Sequence, residues 1–255
     1  MNKKERQEQI MNMLGISGHI TVNEIMNALS VSDMTVRRDL NQLFQEGKLI
    51  RTHGGAQRIM TSENGYERSH IEKKSLHEEE KKQIAMKAAS LIRDGETVFL
   101  GPGTTLEQLA LCLRSRSIRV VTNSLPVFEI LNHSTSVDLL LTGGEYRCIT
   151  GAFVGTMAMR ALETIRFSKA LISVNGAAED AVYTYSEAEG DIQKHALNCA
   201  TEKILLADSS KFNEYDFYRF YELKDFDLII TDEGIEPQML KHLRTVTDTV
   251  TSETE

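Results

Sequence analysis

Apolar residues over positions 1–57 recur at the spacing of short helices. The residues that carry this spacing are Ile10, Leu14, Ile20, Val22, Ile25, Leu29, Val36, Leu40 and Leu43. They predict three short helices that share one core. The tract that follows contains Gly47, Gly54 and Gly55, which predict a β-hairpin that begins and ends at glycine. Helix, turn, helix and hairpin in this order predict a winged helix-turn-helix domain over residues 1–57.

The next segment, residues 58–75, is polar and has no sustained period, which predicts a linker between two domains. A helix is predicted to follow. Ser75 and Glu78 have the spacing of a capping box, and Ile84, Ala88 and Leu91 continue an apolar stripe.

Short aliphatic runs alternate with helical segments through residues 76–255. The runs are "TVFLG", "IRVVTNS", "VDLLLTGG", "ALISVNG", "KILLADSS" and "LIITD". Such runs are typical of buried parallel strands, and their alternation with helices predicts a doubly wound α/β domain. Ligands of these folds bind outside the carboxyl ends of the strands, so the loops that end the runs are candidate walls of a site.

Charge is distributed unevenly along the 255 residues, whose net charge is −8. Residues 1–60 contain eight lysines and arginines against six aspartates and glutamates, so the acidic excess lies in the remainder. A small basic module on an acidic body suggests DNA as one partner. The charged N-terminus and the lack of a long apolar run predict a cytoplasmic protein without a membrane span.

The three cysteines, Cys112, Cys148 and Cys199, are far apart and lack the spacing of a zinc site or a redox pair. We expect buried, reduced thiols and no metal.

The second helix of the helix-turn-helix has the surface of a recognition helix. A step of about 100° per residue puts Val36, Leu40 and Leu43 on the core side and polar residues on the other. Ser32 fits an N-cap, and Arg37 or Arg38 is the candidate for bidentate pairing with guanine. The predicted DNA-binding residues are Ser32, Met34, Thr35, Arg37, Arg38, Asn41, Gln42, Arg51 and His53. A solvated surface helix is the alternative interpretation of the helix taken alone.

The stretch "VFLGPGTTLEQLALCL" predicts a strand, a glycine-rich turn and a helix whose N-terminus suits a phosphate. The turn lacks the Gly-Lys-Ser/Thr ending of a nucleotide P-loop, and Leu106 stands where a dinucleotide fingerprint has its third glycine. A sugar phosphate is therefore favoured over ATP or NAD. An ordinary tight turn between strand and helix is the alternative.

Three further loops add polar groups at the same depth. Asn123 and Ser124 precede a helix, and Gly143 and Gly144 allow close approach of backbone. The fourth loop contributes Asp208, which is suited to sugar hydroxyls, and Lys211, which is suited to a phosphate.

The N-terminal tract resembles the DeoR family of bacterial transcription regulators. The family pattern is matched by Arg6, Ile10, Leu14, Ser32, Thr35, Val36, Arg37, Asp39 and Leu40, and by "RTHGGA" after the wing. Asp39 lies near the core face, so we expect it to pair within the domain. The body resembles the sensor domain of the same family through "GPGTT", "VVTNSLPV", "LLLTGG" and "LLADSSKF".

The resemblance implies a body related in fold to ribose-5-phosphate isomerase, with an effector phosphate at Gly103, Thr104 and Thr105. Two positions depart from the family pattern. Many members have Asp at the position of Gly101 and Lys at the position of Gln193, which follows Glu189. Effector recognition is therefore expected to differ from the family average.

Within the family, "HIEKKS" and "EYDFYRFY" resemble members that regulate lactose and galactose catabolism in response to tagatose 6-phosphate. This likeness implies effector contacts from Lys73 or Lys74, Lys81, Asp208 and Lys211. A solvated face is the alternative for at least two of the lysines in the run that contains Lys73, Lys74, Lys81 and Lys82.

The sequence as a whole predicts a repressor, not an enzyme, which has no cofactor and releases operator DNA when a phosphosugar binds. Specificity over a genome favours paired half-sites and hence a homo-oligomer, a dimer or a tetramer. The predicted effector-binding residues are Gly101, Gly103, Thr104, Thr105, Asn123, Ser124, Gly143, Gly144, Lys73, Lys81, Glu189, Asp208 and Lys211. Two alternatives remain: a phosphosugar isomerase with Asp208 or Glu189 as its base, and a nucleoid or scaffold protein without a ligand.

Overall fold

The computed structural model describes residues 3–17, 19–46, 48–52, 54–57 and 67–253. The chain divides into two compact units, Met1–Lys73 and Lys74–Glu255. A short helix, α4, spans the boundary between them and lies within the segment predicted to be a linker.

The N-terminal unit has the predicted winged helix-turn-helix plan. Its elements are α1 Lys3–Ser17, β1 His19–Thr21, α2 Val22–Leu29, α3 Asp33–Gln45, β2 Ile50–Thr52 and β3 Gly55–Gln57. The strands form an antiparallel sheet in the order β1-β3-β2, so the hairpin carries a third strand that the sequence did not predict. The apolar stripes of the helices meet in one core, in which Ile10, Leu14 and Leu40 are fully buried. Gly47 lies outside the described residues.

Local capping interactions fix the start and the end of α2 and the start of α3. Thr21 and Glu24 form a reciprocal capping box at the start of α2, and Ser30 ends that helix in the left-handed conformation. Ser32 caps α3, as predicted, and accepts a hydrogen bond from the backbone N–H of Thr35. These caps define the turn between α2 and α3.

Asp39 pairs within the N-terminal unit, which confirms the prediction for this residue. Its buried carboxylate accepts hydrogen bonds from Arg6 Nε and from Arg6 Nη2, the latter at 3.2 Å, and so ties α1 to α3. The hydrogen bond to Asp39 raises the pKa of Arg6, so the guanidinium stays charged.

Replacing Asp39 with alanine should destabilise the N-terminal unit by about 1–3 kcal/mol, because a mostly buried guanidinium would lose its partner. Hydrogen exchange of α1 and α3 in the full-length protein, followed by mass spectrometry, measures the change. Lys48→Ala is the control, because it breaks the exposed Lys48–Glu46 pair and should change exchange little. Equal protection in the two variants would contradict the structural role of Asp39.

The C-terminal unit is built on a seven-stranded parallel sheet with the order β15-β14-β12-β9-β4-β5-β6. The strands are β4 Thr97–Leu100, β5 Arg119–Thr122, β6 Asp138–Leu141, β9 Phe167–Ile172, β12 Ala200–Leu206, β14 Leu228–Thr231 and β15 Thr249–Thr251. All six predicted runs are strands of this sheet, and β15 was not predicted. The strand order changes direction between β4 and β9, the point at which open α/β sheets bind ligands.

Helices cover both faces of the sheet. They are α5 Glu78–Ser90, α6 Thr104–Leu113, α7 Leu125–Leu131, α8 Gly155–Glu163, α9 Glu187–Asn198 and α10 Pro237–Val246; the short helix α4 at the boundary of the two units is His70–Lys74. Alternate residues of each central strand enter opposite cores. In β4, Phe99 packs with α8 and α9, whereas Val98 and Leu100 pack with α5 and α6. The doubly wound prediction is confirmed.

Two small antiparallel sheets were not predicted. One is the hairpin of β7 Glu145–Arg147 and β8 Ala152–Val154, and the other joins β10 Gly176–Ala178, β11 Ala181–Thr184 and β13 Tyr218–Glu222. Their strands are short, and β13 pairs with a strand more than thirty residues away. Long-range pairing of this kind leaves no signal in a local window.

Three predictions are wrong in detail. The helix α5 is capped by His77 in the left-handed conformation, without a side-chain hydrogen bond, and not by a box of Ser75 and Glu78. The strand β6 is not buried, because it forms an edge of the sheet and alternates exposed and half-buried residues. Of the three free cysteines only Cys199 is buried, whereas Cys148 is exposed.

Candidate DNA-binding surface and ligand site

The helix α3 carries six of the nine predicted DNA-binding residues: Met34, Thr35, Arg37, Arg38, Asn41 and Gln42. Val36, Leu40 and Leu43 are buried, while Met34, Arg38 and Asn41 are exposed, Met34 to 80%. An exposed methionine of this size at the start of a helix is available for apolar contact with a thymine methyl group.

The two arginines of α3 differ in their surroundings. Arg37 Nε donates to Asp33 Oδ1 at 2.6 Å, and this hydrogen bond raises the pKa of Arg37. Arg38 is exposed and has no side-chain partner within the part of the chain that the structure describes. Arg38 is therefore the better placed of the two for a base edge.

Other predicted residues are held by short-range contacts. Thr35 Oγ1 lies 2.9 Å from Ser32 Oγ, and Gln42 Nε2 donates to Glu46 Oε1 at 2.7 Å. Arg51 Nη1 donates to Gly55 O at 2.8 Å across the hairpin. Burial lowers the pKa of Arg51, and so does the nearby positive charge of Arg37 on α3. His53 lies outside the described residues.

The ligand site candidates lie at the carboxyl edge of the parallel sheet. The loops after β4, β5 and β6 are neighbours, and they contain Gly101–Thr105, Asn123–Ser124 and Gly143–Gly144. The structure thus brings three of the four predicted loops to adjacent positions. The first of them begins beside the switch point, where Gly101 N donates to Leu171 O of the neighbouring strand β9 at 3.0 Å.

The glycine loop ends at the N-terminus of α6. Gly103 is the N-cap with φ 138°, a conformation that favours glycine, and the buried residues Thr104 and Thr105 form the first turn. The first N–H groups of a helix have no intrahelical partners, and the helix dipole adds positive charge there. This arrangement suits an anion.

The second and third loops are joined to the β7–β8 hairpin. Asn123 Nδ2 donates to Phe153 O at 3.0 Å, whereas Asn123 Oδ1 is buried and has no partner among the described residues. Ser124 caps α7. Gly144 has φ 118°, and a Cβ there would lie 2.6 Å from Val154 O, so the close approach of the hairpin requires glycine.

Glu189 is also tied to the hairpin. Its buried carboxylate accepts hydrogen bonds from Arg147 Nε at 2.8 Å and from Thr150 Oγ1. Sequence reasoning missed Arg147, because its partner is forty-two residues away. The carboxylate of Glu189 is therefore engaged by the hairpin.

Asp208 and Lys211 follow β12, two strands from β4 and so about 10 Å along the edge. Asp208 is buried and caps the 3₁₀ turn Ser209–Lys211 by accepting hydrogen bonds from Ser210. This carboxylate is thus also occupied by the chain itself, and neither proposed catalytic base stands free.

The predicted lysines lie on two different elements. Lys73 belongs to α4 in the N-terminal unit, and Lys81 lies on α5. Lys81 is buried and its Nζ donates to Leu76 O, so it does not belong to a solvated face. Lys74 and Lys82 are largely exposed, which is the arrangement expected of a solvated face.

Two residues beside the glycine loop were absent from the predicted site. Ser173 follows β9, and a Cβ on Gly103 would lie 3.3 Å from its Cβ. Gln193 lies on α9, and its Oε1 would lie 3.6 Å from a Cβ on Gly101. The end of the run "ALISVNG" was the available signal for Ser173, and the departure from the family pattern was the signal for Gln193.

The chain joins a winged helix-turn-helix unit to a doubly wound unit in which the carboxyl edge of the sheet suits an anion. This arrangement is typical of a ligand-responsive transcription regulator. Residues 6–62 match the DeoR-like helix-turn-helix domain and residues 76–233 match the DeoR C terminal sensor domain. The chain belongs to the DeoR family. It is a DNA-binding repressor of a sugar operon rather than an enzyme.

Similar proteins span nearly the whole chain. The lactose phosphotransferase system repressor of Lactococcus lactis subsp. lactis is 56% identical over 94% of this chain and 95% of its own. The repressor of the same name from Streptococcus mutans is 46% identical over 91% and 93% of the two chains. Among solved structures, ribose 5-phosphate isomerase A from Methanocaldococcus jannaschii is 16% identical, with a TM-score of 0.40 over 53% of this chain and 55% of its own.

None of the helices in the described ranges is long and apolar enough to cross a membrane.

Proposed function

We propose that this repressor controls a lactose or galactose operon that feeds the tagatose 6-phosphate pathway, in the cytoplasm, and that tagatose 6-phosphate releases it from its operator. The observation that carries the proposal is the 56% identity, over nearly all of both chains, to a lactose phosphotransferase system repressor. The helix-terminal anion site in the sensor unit supports a phosphorylated effector.

The phosphate of the effector binds the N-terminus of α6 at Gly103, Thr104 and Thr105. The sugar extends along the edge toward the loops of β5 and β6. Asn123 offers it a buried amide oxygen that has no partner among the described residues, and Gly143 and Gly144, which carry no side chain, allow close approach to their backbone. Gly101, Ser124, Glu189, Asp208, Lys211, Lys73 and Lys81 complete the proposed set.

Operator binding uses paired half-sites, so the repressor works as a dimer or a tetramer. Residues 1–57 bind the major groove, with Ser32, Met34, Thr35, Arg37, Arg38, Asn41, Gln42, Arg51 and His53 as the contacts, and residues 58–75 link them to the sensor unit, residues 76–255. By linkage, the effector acts as an inducer because it binds the released state more tightly than the operator-bound state.

Fluorescence anisotropy of a labelled operator tests this function. Tagatose 6-phosphate should weaken operator affinity at least tenfold, a coupling of about 1.4 kcal/mol, whereas unphosphorylated tagatose should have no effect. Fructose 6-phosphate and galactose 6-phosphate are the comparison ligands. Operator affinity that no phosphosugar changes would contradict the proposal, and turnover of any of them would favour an isomerase.

A further inference from the structure

Gln193 has a buried polar atom that no described residue satisfies. Its side chain is 2% exposed, and Oε1 has no hydrogen-bond partner among the described residues. Buried carbonyl oxygens are nearly always paired, since an unpaired one loses its hydration without compensation. An exception at the edge of a sheet where ligands bind requires a reason.

The position of Gln193 provides that reason. It lies one helical turn after Glu189 on α9, so both side chains occupy the same buried face of that helix. Glu189 is directed to the β7–β8 hairpin, whereas Gln193 Oε1 is directed to Gly101, the first residue after β4. Gly101 is beside the switch point of the sheet and opens the loop that caps α6.

The backbone conformation at position 101 does not require a glycine. The backbone of Gly101 is outside the positive-φ region, and the nearest atom to an added Cβ would be Ile172 Cγ2 at 3.4 Å, an ordinary contact distance. Neither backbone strain nor close packing in the free protein excludes a single Cβ at this position. Gly101 thus leaves room for one carbon-sized group, 3.6 Å from Gln193 Oε1.

We propose that Gln193 determines which sugar the repressor recognises: its Oε1 accepts a hydrogen bond from one hydroxyl of the phosphosugar, which occupies the room left by Gly101. A neutral amide matches a hydroxyl rather than a second phosphate or a carboxylate, and a hydroxyl of the wrong configuration leaves Oε1 unpaired. This inference rests on the proposed function, because it assumes a phosphosugar at this edge.

Four ligands that differ only in the configuration at C3 and C4 test the proposal: the 6-phosphates of D-fructose, D-tagatose, D-psicose and D-sorbose. Calorimetric titration of the full-length protein gives the affinity for each. Gln193→Met keeps the size of the side chain and removes the oxygen. It should weaken binding of the preferred ligand about tenfold and reduce the preference over one epimer by the same factor, with operator affinity unchanged.

Thr231→Val is the matched control. Thr231 is fully buried, and its Oγ1 is also unpaired among the described residues, but it ends β14, which is separated from β4 by β12 and β9. This variant should keep the affinity for every ligand. Gly101→Ala should keep the melting temperature of the free protein and weaken the preferred ligand, because the methyl group fills the proposed room.

The outcomes separate the two proposals. If the unaltered protein binds none of the four ligands, the proposed function fails, and this inference fails with it. If it binds them and Gln193→Met keeps both the affinities and their ratios, only the role of Gln193 is overturned. An equal loss for all four ligands together with a lower melting temperature would also overturn it, since that result indicates a structural role.

Discussion

Replacing Thr104 with glutamate should abolish the response to phosphosugar and leave operator affinity unchanged. Thr104 is the first residue of α6 and is 8% exposed. A carboxylate at a helix N-terminus is stabilised by the dipole, so the helix should form, while the carboxylate occupies the place of the phosphate and repels it. We expect effector affinity to fall more than 100-fold by calorimetry, which is roughly 3 kcal/mol.

Two further variants of Thr104 distinguish a loss of phosphate binding from a loss of folding. Thr104→Ser should respond normally, because it retains both the hydroxyl and the backbone N–H. Thr104→Val, which keeps the shape and the backbone N–H, should respond with an affinity reduced by about tenfold. A Thr104→Glu protein that is still induced would place the phosphate elsewhere, and one that also lost operator binding would be misfolded.

Replacing Arg38 with alanine should weaken operator binding by roughly 1–3 kcal/mol, or about 5- to 150-fold, and relax specificity at one base pair. Arg38 is the arginine of α3 that is exposed and not paired within the described residues, whereas Arg37 is hydrogen-bonded to Asp33. Anisotropy against a set of operators with single base-pair changes, at fixed salt, measures both effects.

The salt dependence of binding identifies the kind of contact that is lost. A base contact leaves the slope of log K against log salt nearly unchanged, whereas a phosphate contact lowers it by about one. Lys241→Ala removes an exposed charge of α10 and is the control for net charge. An Arg38→Ala protein with unaltered affinity and specificity would exclude Arg38 from the interface.

The elements that the sequence predicts well are those with a local cause. The stripe through Val36, Leu40 and Leu43 predicts α3 because one helix buries all three. Five of the six aliphatic runs predict strands because they cross the buried centre of the sheet, whereas the sixth forms the exposed edge strand β6. The capping of α3 by Ser32 is equally local. The strands β7, β8, β10 and β11 are only three or four residues long, and β13 pairs with β11 more than thirty residues away, so a local window does not predict them.

The residues of the candidate site also fall into two groups, those with a local signal in the sequence and those without one. Gly103 and the threonines after it are recognisable because a strand, a glycine turn and a helix follow one another in the sequence. Arg147, Ser173 and Gln193 reach the same edge from separate segments, and only the strand order brings them to the loop after β4. The pairing of Glu189 with Arg147 also shows that a lone carboxylate in a sequence does not reveal whether it is available to a ligand.

The order β9-β4-β5 has a consequence for how regulation arises during synthesis. The DNA-binding unit is complete by residue 73, whereas the edge beside Gly101 needs β9 and α9, which end at residues 172 and 198. Because domains emerge from the ribosome in order, the nascent chain possesses its operator-binding surface about a hundred residues before the surroundings of the ligand site exist. Translation that stops between these points would therefore yield a chain that contains the DNA-binding unit but lacks the ligand site through which a sugar phosphate acts.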